Sequence, residues 1–174
     1  KNITEIVTEV TQYNTDHIVI MITNPLDVTT YLAATKFGWK HGRLFGTGTT
    51  LETLRFKYIL SRHFDVNPQD IQGYMLGEHG NSAFPAWSTV SIGGIRLNDL
   101  HNYFPEVKLD RELIHKQVVK TAYEVMDAKG WTNTGIASGA IRLAQAVFFD
   151  EKAVVPVSVP LTGEYGLKDV ALSL

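Results

Sequence analysis

The feature that most constrains the fold is an apolar strand pattern near the start of the chain. Residues 17–23 (HIVIMIT) form a nearly continuous run of β-branched and apolar residues, which is typical of a parallel strand buried on both faces. Residues 2–13 before it carry apolar side chains at steps of three, one and three, which predicts a helix, and residues 14–16 predict a turn. A helix followed by a buried strand is half of an α/β unit. The strand that would precede the helix is absent, so we expect the chain to begin in the middle of a fold.

A proline ends this strand and leaves a polar side chain at its carboxyl end. Pro25 cannot extend a strand ladder, and it disfavours helical backbone at Asn24. Asp27 is placed to cap a helix over residues 28–37, which Gly38 ends. Open α/β sheets bind ligands at the carboxyl ends of their strands. The Asn24 side chain therefore either hydrogen-bonds a substrate oxygen or stabilises an Asn-Pro turn.

A second polar group lies on a helix predicted over residues 51–64, after a short strand at residues 43–45. Thr49 and Glu52 have the spacing of a capping box. Arg55 follows Glu52 by three positions and has apolar neighbours. A guanidinium matches a carboxylate through two parallel hydrogen bonds. Arg55 is therefore a candidate receptor for a substrate carboxylate, and the alternative is an ion pair with Glu52 on the same helix face.

The candidate acid–base group is His79, which lies between glycines after a strand predicted over residues 70–77. A neutral imidazole accepts a proton and its cation donates one near pH 7. The alternative is a turn histidine with an ordinary hydrogen bond. Glu52 is a candidate to orient the ring by accepting a hydrogen bond from its second nitrogen, if it does not serve in the capping box.

The rest of the chain mixes strands and helices, which predicts an α+β organisation. Thr132 either lines a pocket or caps the helix that follows it. We expect a hairpin of residues 87–92 and 95–97 around Gly93 and Gly94, helices over residues 110–128 and 133–149, and strands over residues 153–159 and 170–174.

The composition excludes several kinds of site. The net charge of −2 makes nucleic acid a poor partner, and the absence of cysteine excludes disulfides, thiolate catalysis and cysteine-based zinc sites. No histidine pair has metal-ligand spacing, so we predict no metal, and we expect the histidines other than His79 to be surface or turn residues. The apolar run at residues 18–22 is too short to cross a membrane.

Four segments, taken together and in order, resemble the NAD-dependent L-2-hydroxyacid dehydrogenases, the lactate and malate dehydrogenase family. They are residues 23–27 (TNPLD), 51–56 (LETLRF), 76–82 (LGEHGNS) and 129–132 (KGWT). The resemblance implies the second half of a Rossmann-type NAD-binding domain, residues 1–46, followed by the family's C-terminal-like substrate domain, residues 47–174. It also implies a chain that is partial at both ends, because the family's GxGxxG turn and mobile loop would precede residue 1 and a closing helix would follow residue 174.

The same resemblance implies hydride transfer between NAD(H) and a small L-2-hydroxy or 2-oxo acid. His79 would exchange the proton with Glu52 as its partner, and Arg55 would hold the substrate carboxylate. Asn24 and Thr132 would contact the substrate, and the peptide bond after Asn24 would be cis. The resemblance further implies a cytoplasmic homodimer or homotetramer in fermentative metabolism. The residues near the cofactor would be Ile22, Thr23, Asn24, Thr47 and Ile136.

Details of the motifs separate three interpretations. Residues 155–157 and 163–166 favour L-lactate dehydrogenase, whereas residues 140–142 (AIR) favour L-2-hydroxyisocaproate dehydrogenase. The family has aspartate in place of Glu52, so the third interpretation is a catalytically silent relative that binds or assembles. Relatives regulated by fructose 1,6-bisphosphate carry arginine and histidine where this chain has Lys57 and Gln72, which argues against that regulation.

Overall fold

The computed structural model describes residues 2–13 and 16–174. Asn14 and Thr15, part of a predicted turn, lie outside the described residues. The helices are α1 (Ile3–Thr11), α2 (Leu26–Lys36), α3 (Thr50–Phe64), α4 (Arg111–Lys129) and α5 (Thr134–Phe148). The strands are β1 (Val19–Met21), β2 (Leu44–Gly46), β3 (Ile71–Gln72), β4 (Met75–Leu76), β5 (Phe84–Pro85), β6 (Ser91–Ile92), β7 (Ile95–Arg96), β8 (Ser158–Thr162) and β9 (Lys168–Ser173).

A four-stranded sheet brings the two ends of the chain together. Its order is β1-β2-β8-β9, with β1 and β2 parallel and the later pairs antiparallel. The predicted α/β start and α+β continuation are confirmed. Burial of the first strand on both faces is wrong, because only Met21 of β1 is fully buried and the flanking Ile22 is 52% exposed. Among the described strands, β1 has only β2 as a hydrogen-bonded neighbour.

Two apolar cores support the sheet and the helices. The first core joins α1, β1, α2 and β2 through Val7, Met21, Leu26, Ala33 and Leu44. In the second core, α3 buries a side chain at nearly every fourth position, as is typical of an amphipathic helix. This face of α3 packs against β3, β6 and α4. The second core includes Phe56, Leu60, Phe64, Ile71, Ile92, Ile114 and Val118.

Glycines decide two local features of the fold. The hairpin at Gly93 and Gly94 is confirmed, with both residues at positive φ between β6 and β7. The single strand predicted over residues 70–77 is wrong, because Gly73 has φ +152° and separates β3 from β4. A Cβ at Gly73 would lie 3.2 Å from Val90 and 3.3 Å from Phe56, so the break also lets the chain pass close to the core.

The helix ends follow the sequence closely, but the strand predicted over residues 153–159 starts late. Asp110 caps α4 by accepting a hydrogen bond from the Leu113 N–H group, and Gly130 ends the helix in a left-handed conformation. The strand predicted from residue 153 begins only at Ser158. Among the described residues, no helix is both long enough and apolar enough to cross a membrane.

Candidate active site

The start of α3 is held to β4 by threonine side chains and to β9 by the Thr49 backbone. The Thr49 hydroxyl donates to the Met75 carbonyl at 2.5 Å, and the Thr53 hydroxyl accepts from the Met75 N–H group at 2.9 Å. The Thr49 N–H group donates to the Ser173 hydroxyl at 3.0 Å. Thr49 precedes the helix but forms no side-chain cap, so the predicted capping box is wrong. The Glu52 carboxylate faces the interior of the site instead.

The loop that carries His79 is held from two sides. Gly77 and Ser173 exchange two backbone hydrogen bonds of 2.9 Å, which tie the loop to β9. On the other side, Asp27 accepts a 2.7 Å hydrogen bond from the His79 N–H group through Oδ2. The predicted capping role of Asp27 is wrong, because α2 begins earlier than expected, after Pro25 and without a side-chain cap. Asp27 therefore lies in the first turn, and its side chain reaches the histidine loop.

His79 and Glu52 form a largely buried ion pair. His79 Nδ1 lies 3.2 Å from Glu52 Oε1, and the side chains are only 17% and 12% exposed. The distance between these two atoms is within hydrogen-bonding range. Hydrogen bonding to Glu52 is the largest cause that raises the pKa of His79; burial opposes it, and the charges of Glu52 and Asp27 add to it. The nearby carboxylates outweigh the cost of burying the charge, so the cationic imidazole is favoured.

Arg55 has no carboxylate partner in the part of the chain that the structure describes. The ion pair with Glu52, which was the alternative from the sequence, is not formed within 4 Å. Burial lowers the pKa of Arg55, and the charge of Glu52 opposes this change. The half-buried guanidinium therefore keeps its donors for a ligand, and an anionic ligand would relieve the cost of burying its charge.

One cleft of about 510 Å³ brings most of the predicted residues together. Its wall on α4 is largely apolar and includes Val119, Ala122 and Met126. The predicted site residues that line it are Ile22, Asn24, Glu52, Arg55, His79, Thr132 and Ile136.

Four local predictions around the cleft have clear outcomes. The Asn24–Pro25 peptide bond is cis, as expected. Thr132 is exposed and lines the cleft, while Asn133 caps α5, so the capping alternative for Thr132 is wrong. Thr23 and Thr47 are not among the lining residues: Thr23 is exposed at the end of β1, and Thr47 is buried with a hydroxyl that has no hydrogen-bond partner among the described residues.

Sequence reasoning missed several side chains that shape the site. The Tyr123 hydroxyl donates to Asn81 Oδ1 at 2.8 Å, and both residues line the cleft. His115 is partly buried, with Nε2 2.6 Å from the Ala83 carbonyl, so its prediction as a surface or turn residue is wrong. Asn81 lies within the motif that contains His79, but nothing in the spacing of α4 marked Tyr123 or His115. Within the described ranges, no cluster of three or more acidic or histidine side chains could hold a metal ion.

Comparisons with known proteins show the family to which this chain is related. Residues 49–174 match the family described as lactate/malate dehydrogenase, alpha/beta C-terminal domain. An L-lactate dehydrogenase of Selenomonas ruminantium is 46% identical over 100% of this chain and 55% of its own length. L-lactate dehydrogenase 2 of Clostridium acetobutylicum is 40% identical over 97% of this chain and 53% of its own length. This chain thus spans about half the length of these curated relatives.

The backbone also matches a crystal structure. It is that of a lactate dehydrogenase enzyme from a Medee basin deep-sea metagenome library, which superposes with a TM-score of 0.94 at 32% identity. The match covers 99% of this chain and 55% of that structure.

Proposed function

We propose that this chain, which belongs to the lactate/malate dehydrogenase family, carries the substrate site of an NAD-dependent L-2-hydroxyacid dehydrogenase that interconverts pyruvate and L-lactate. One observation carries the proposal: the His79–Glu52 pair lines the same cleft as Arg55, whose guanidinium has no carboxylate partner among the described residues. The relatives that share its sequence along almost the whole chain are named L-lactate dehydrogenases.

We propose the domain boundary at residue 46. Residues 1–46 would be the second half of a dinucleotide-binding domain, and residues 47–174 would be the substrate domain. The two apolar cores support this division, because one is built from residues before the boundary and the other from residues after it.

His79 is the proposed proton donor to the ketone, and the proton acceptor when the alcohol is oxidised. Its raised pKa keeps the imidazole protonated to higher pH than an ordinary histidine, which suits ketone reduction near neutrality. Glu52 is longer by one methylene than the family's aspartate, yet its carboxylate reaches the ring at 3.2 Å. This contact favours an active enzyme over the catalytically silent relative.

Arg55 is the proposed receptor for the substrate carboxylate. A guanidinium offers two parallel donors to a carboxylate, and this one is half-buried beside the acid–base pair. Asn24 and Thr132 line the same cleft and are placed to hydrogen-bond substrate oxygens. With the carboxylate at Arg55 and the ketone oxygen at His79, the 2-carbon of a 2-oxo acid would lie between the two side chains.

NAD(H) is the proposed cofactor, and the residues at the end of β1 fit its nicotinamide end. Ile22 is 52% exposed and lines the cleft beside Asn24, which gives an apolar surface for a flat ring. The buried hydroxyl of Thr47 has no hydrogen-bond partner among the described residues. The backbone of Thr47 is next to β1, because its N–H group donates to the Met21 carbonyl at 2.9 Å. Bound NADH supplies the hydride. We propose that Ile22, Thr23, Asn24, Thr47 and Ile136 contact it.

A second candidate is L-2-hydroxyisocaproate dehydrogenase. The α4 wall of the cleft presents the apolar residues Val119, Ala122 and Met126. This surface suits a branched aliphatic side chain on the substrate and is more extensive than the methyl group of pyruvate requires. Residues 140–142 point the same way. From the family resemblance we also propose a cytoplasmic homodimer or homotetramer; size-exclusion chromatography with light scattering tests the assembly.

The test is NADH oxidation by the full-length protein with pyruvate and with 2-ketoisocaproate. A higher kcat/KM for pyruvate supports the lactate dehydrogenase, and the reverse order supports the second candidate. No oxidation with either acid, in a protein that still binds NADH, would support the silent relative and reject both enzymes.

A further inference from the structure

We propose that Asp27 is a positioning residue, which fixes the backbone of His79 and couples the acid–base pair to the first turn of α2. The inference rests on the proposed function, because it assigns a role toward the same histidine. Asp27 does not line the cleft, so it acts through His79 and not on the substrate.

The contacts of Asp27 join three parts of the fold that are far apart in sequence. Oδ2 accepts the His79 N–H group at 2.7 Å, and Oδ1 accepts the Ser158 hydroxyl at 2.5 Å. Both carboxylate oxygens are thus held, one by the catalytic loop and one by β8. A carboxylate that accepts two such bonds is fixed in orientation and binds strongly to both donors.

This link completes the set of restraints on His79. Gly77 is held by Ser173 of β9, and the ring meets Glu52 of α3. Among the described residues, Asp27 is the side chain that accepts a hydrogen bond from the main chain of the histidine itself. Asp27 follows the Asn24–Pro25 turn by two residues. The same short segment therefore positions both the Asn24 side chain, which lines the cleft, and the backbone of the proton donor His79.

Charged groups from each packed element bear on the imidazole. Glu52 of α3 and Asp27 of α2 are the anions that raise the pKa of His79. Arg55 of α3 and Tyr123 of α4 face the cleft, but neither is among the causes that shift this pKa. The residues of β8 and β9 that bond to Asp27 and to the histidine loop are the uncharged Ser158 and Ser173. Loss of the Asp27 charge therefore moves the titration of His79 in one direction, toward lower pH.

The experiment compares Asp27→Asn and Asp27→Ala with Asp110→Asn in the full-length protein. Asp110→Asn is the matched control, because Asp110 also accepts a backbone N–H group, at the start of α4 and outside the cleft. The titration of the His79 ring is followed by NMR, with His79→Gln used to assign its signal. The steady-state constants for pyruvate and NADH are measured alongside.

We expect both Asp27 variants to titrate His79 at lower pH than the wild type, and Asp110→Asn to leave it unchanged. Asp27→Ala should lower kcat about tenfold to a hundredfold with little change in KM, because a small misplacement of a catalytic group costs rate of that order. Asp27→Asn keeps the shape of the side chain, so it preserves the test if the alanine variant does not fold.

An unchanged His79 titration together with kcat within about twofold in Asp27→Asn would overturn the proposal. A wild-type protein that turns over no 2-oxo acid would reject the proposed function instead. The NMR titration would still report whether Asp27 acts on His79, so the two failures are distinguishable.

Discussion

The ion pair between Glu52 and His79 makes a quantitative prediction for Glu52→Gln. At 3.2 Å the attraction is about 5 kcal/mol for an effective dielectric constant of about 20, and about 1 kcal/mol in a water-like medium. The side chains are mostly buried, so the attraction lies toward the upper end of this range. Glutamine keeps the shape and removes the charge, which lowers the pKa of His79. Losing an attraction of this size slows pyruvate reduction by roughly tenfold or more at a pH where the wild type is still protonated.

The assay is the pH profile of kcat/KM for pyruvate reduction. In the wild type, the alkaline fall should have its midpoint above 6.5, because Glu52 raises the pKa of His79 from that value. In Glu52→Gln the midpoint should move to lower pH. Glu52→Asp keeps the charge and should stay closer to the wild type. Coincident profiles for the wild type and Glu52→Gln would refute the reasoning.

Three further predictions address binding and stability. Arg55→Lys keeps the positive charge but loses the two parallel guanidinium donors, so KM for pyruvate should rise roughly tenfold to a hundredfold. The control Arg62→Lys, on the same helix, should leave KM unchanged in the same steady-state assay. Phe56→Ala, at a fully buried position, should lower the free energy of unfolding in urea by about 3 to 5 kcal/mol; the exposed Tyr58→Ala should cost far less, and equal costs would contradict the packing. Because the folded pKa of His79 is raised above 6.5, its charged pair stabilises the fold fully below that pH. In urea titrations across pH, the stability difference between the wild type and His79→Gln should shrink as pH rises through the raised pKa, because the part due to the charged pair is lost. A difference that grew with pH would contradict the sign.

The residues of the cleft were predictable where the chemistry lies at the end of a regular element. Asn24 follows the parallel strand β1, and open α/β sheets bind ligands at the carboxyl ends of such strands. His79 follows β4 and lies in a glycine-containing loop. Arg55 was predictable as a guanidinium on an apolar helix. Periodicity and turn residues thus identified the candidates, and the family resemblance suggested that they meet.

Long-range hydrogen bonds explain what the sequence could not show. Thr49 and Glu52 fit a local capping box, but the Thr49 hydroxyl bonds to Met75 and Glu52 turns to His79. Aspartate is a common residue at the start of a helix, which favoured a capping role for Asp27. Its hydrogen-bond partners are instead 52 and 131 residues away in the chain. Local patterns carry no information on partners at such separations, so the local interpretation was the natural one and was wrong.

The most direct test of the central claim is the turnover of pyruvate and NADH by His79→Gln in the full-length protein, with NADH binding measured separately by fluorescence. If His79 transfers the proton, turnover should fall by about a hundredfold to ten-thousandfold while NADH binding is retained. Turnover within a few fold of the wild type would contradict the account, because the cleft would then reduce the ketone without its proposed proton donor.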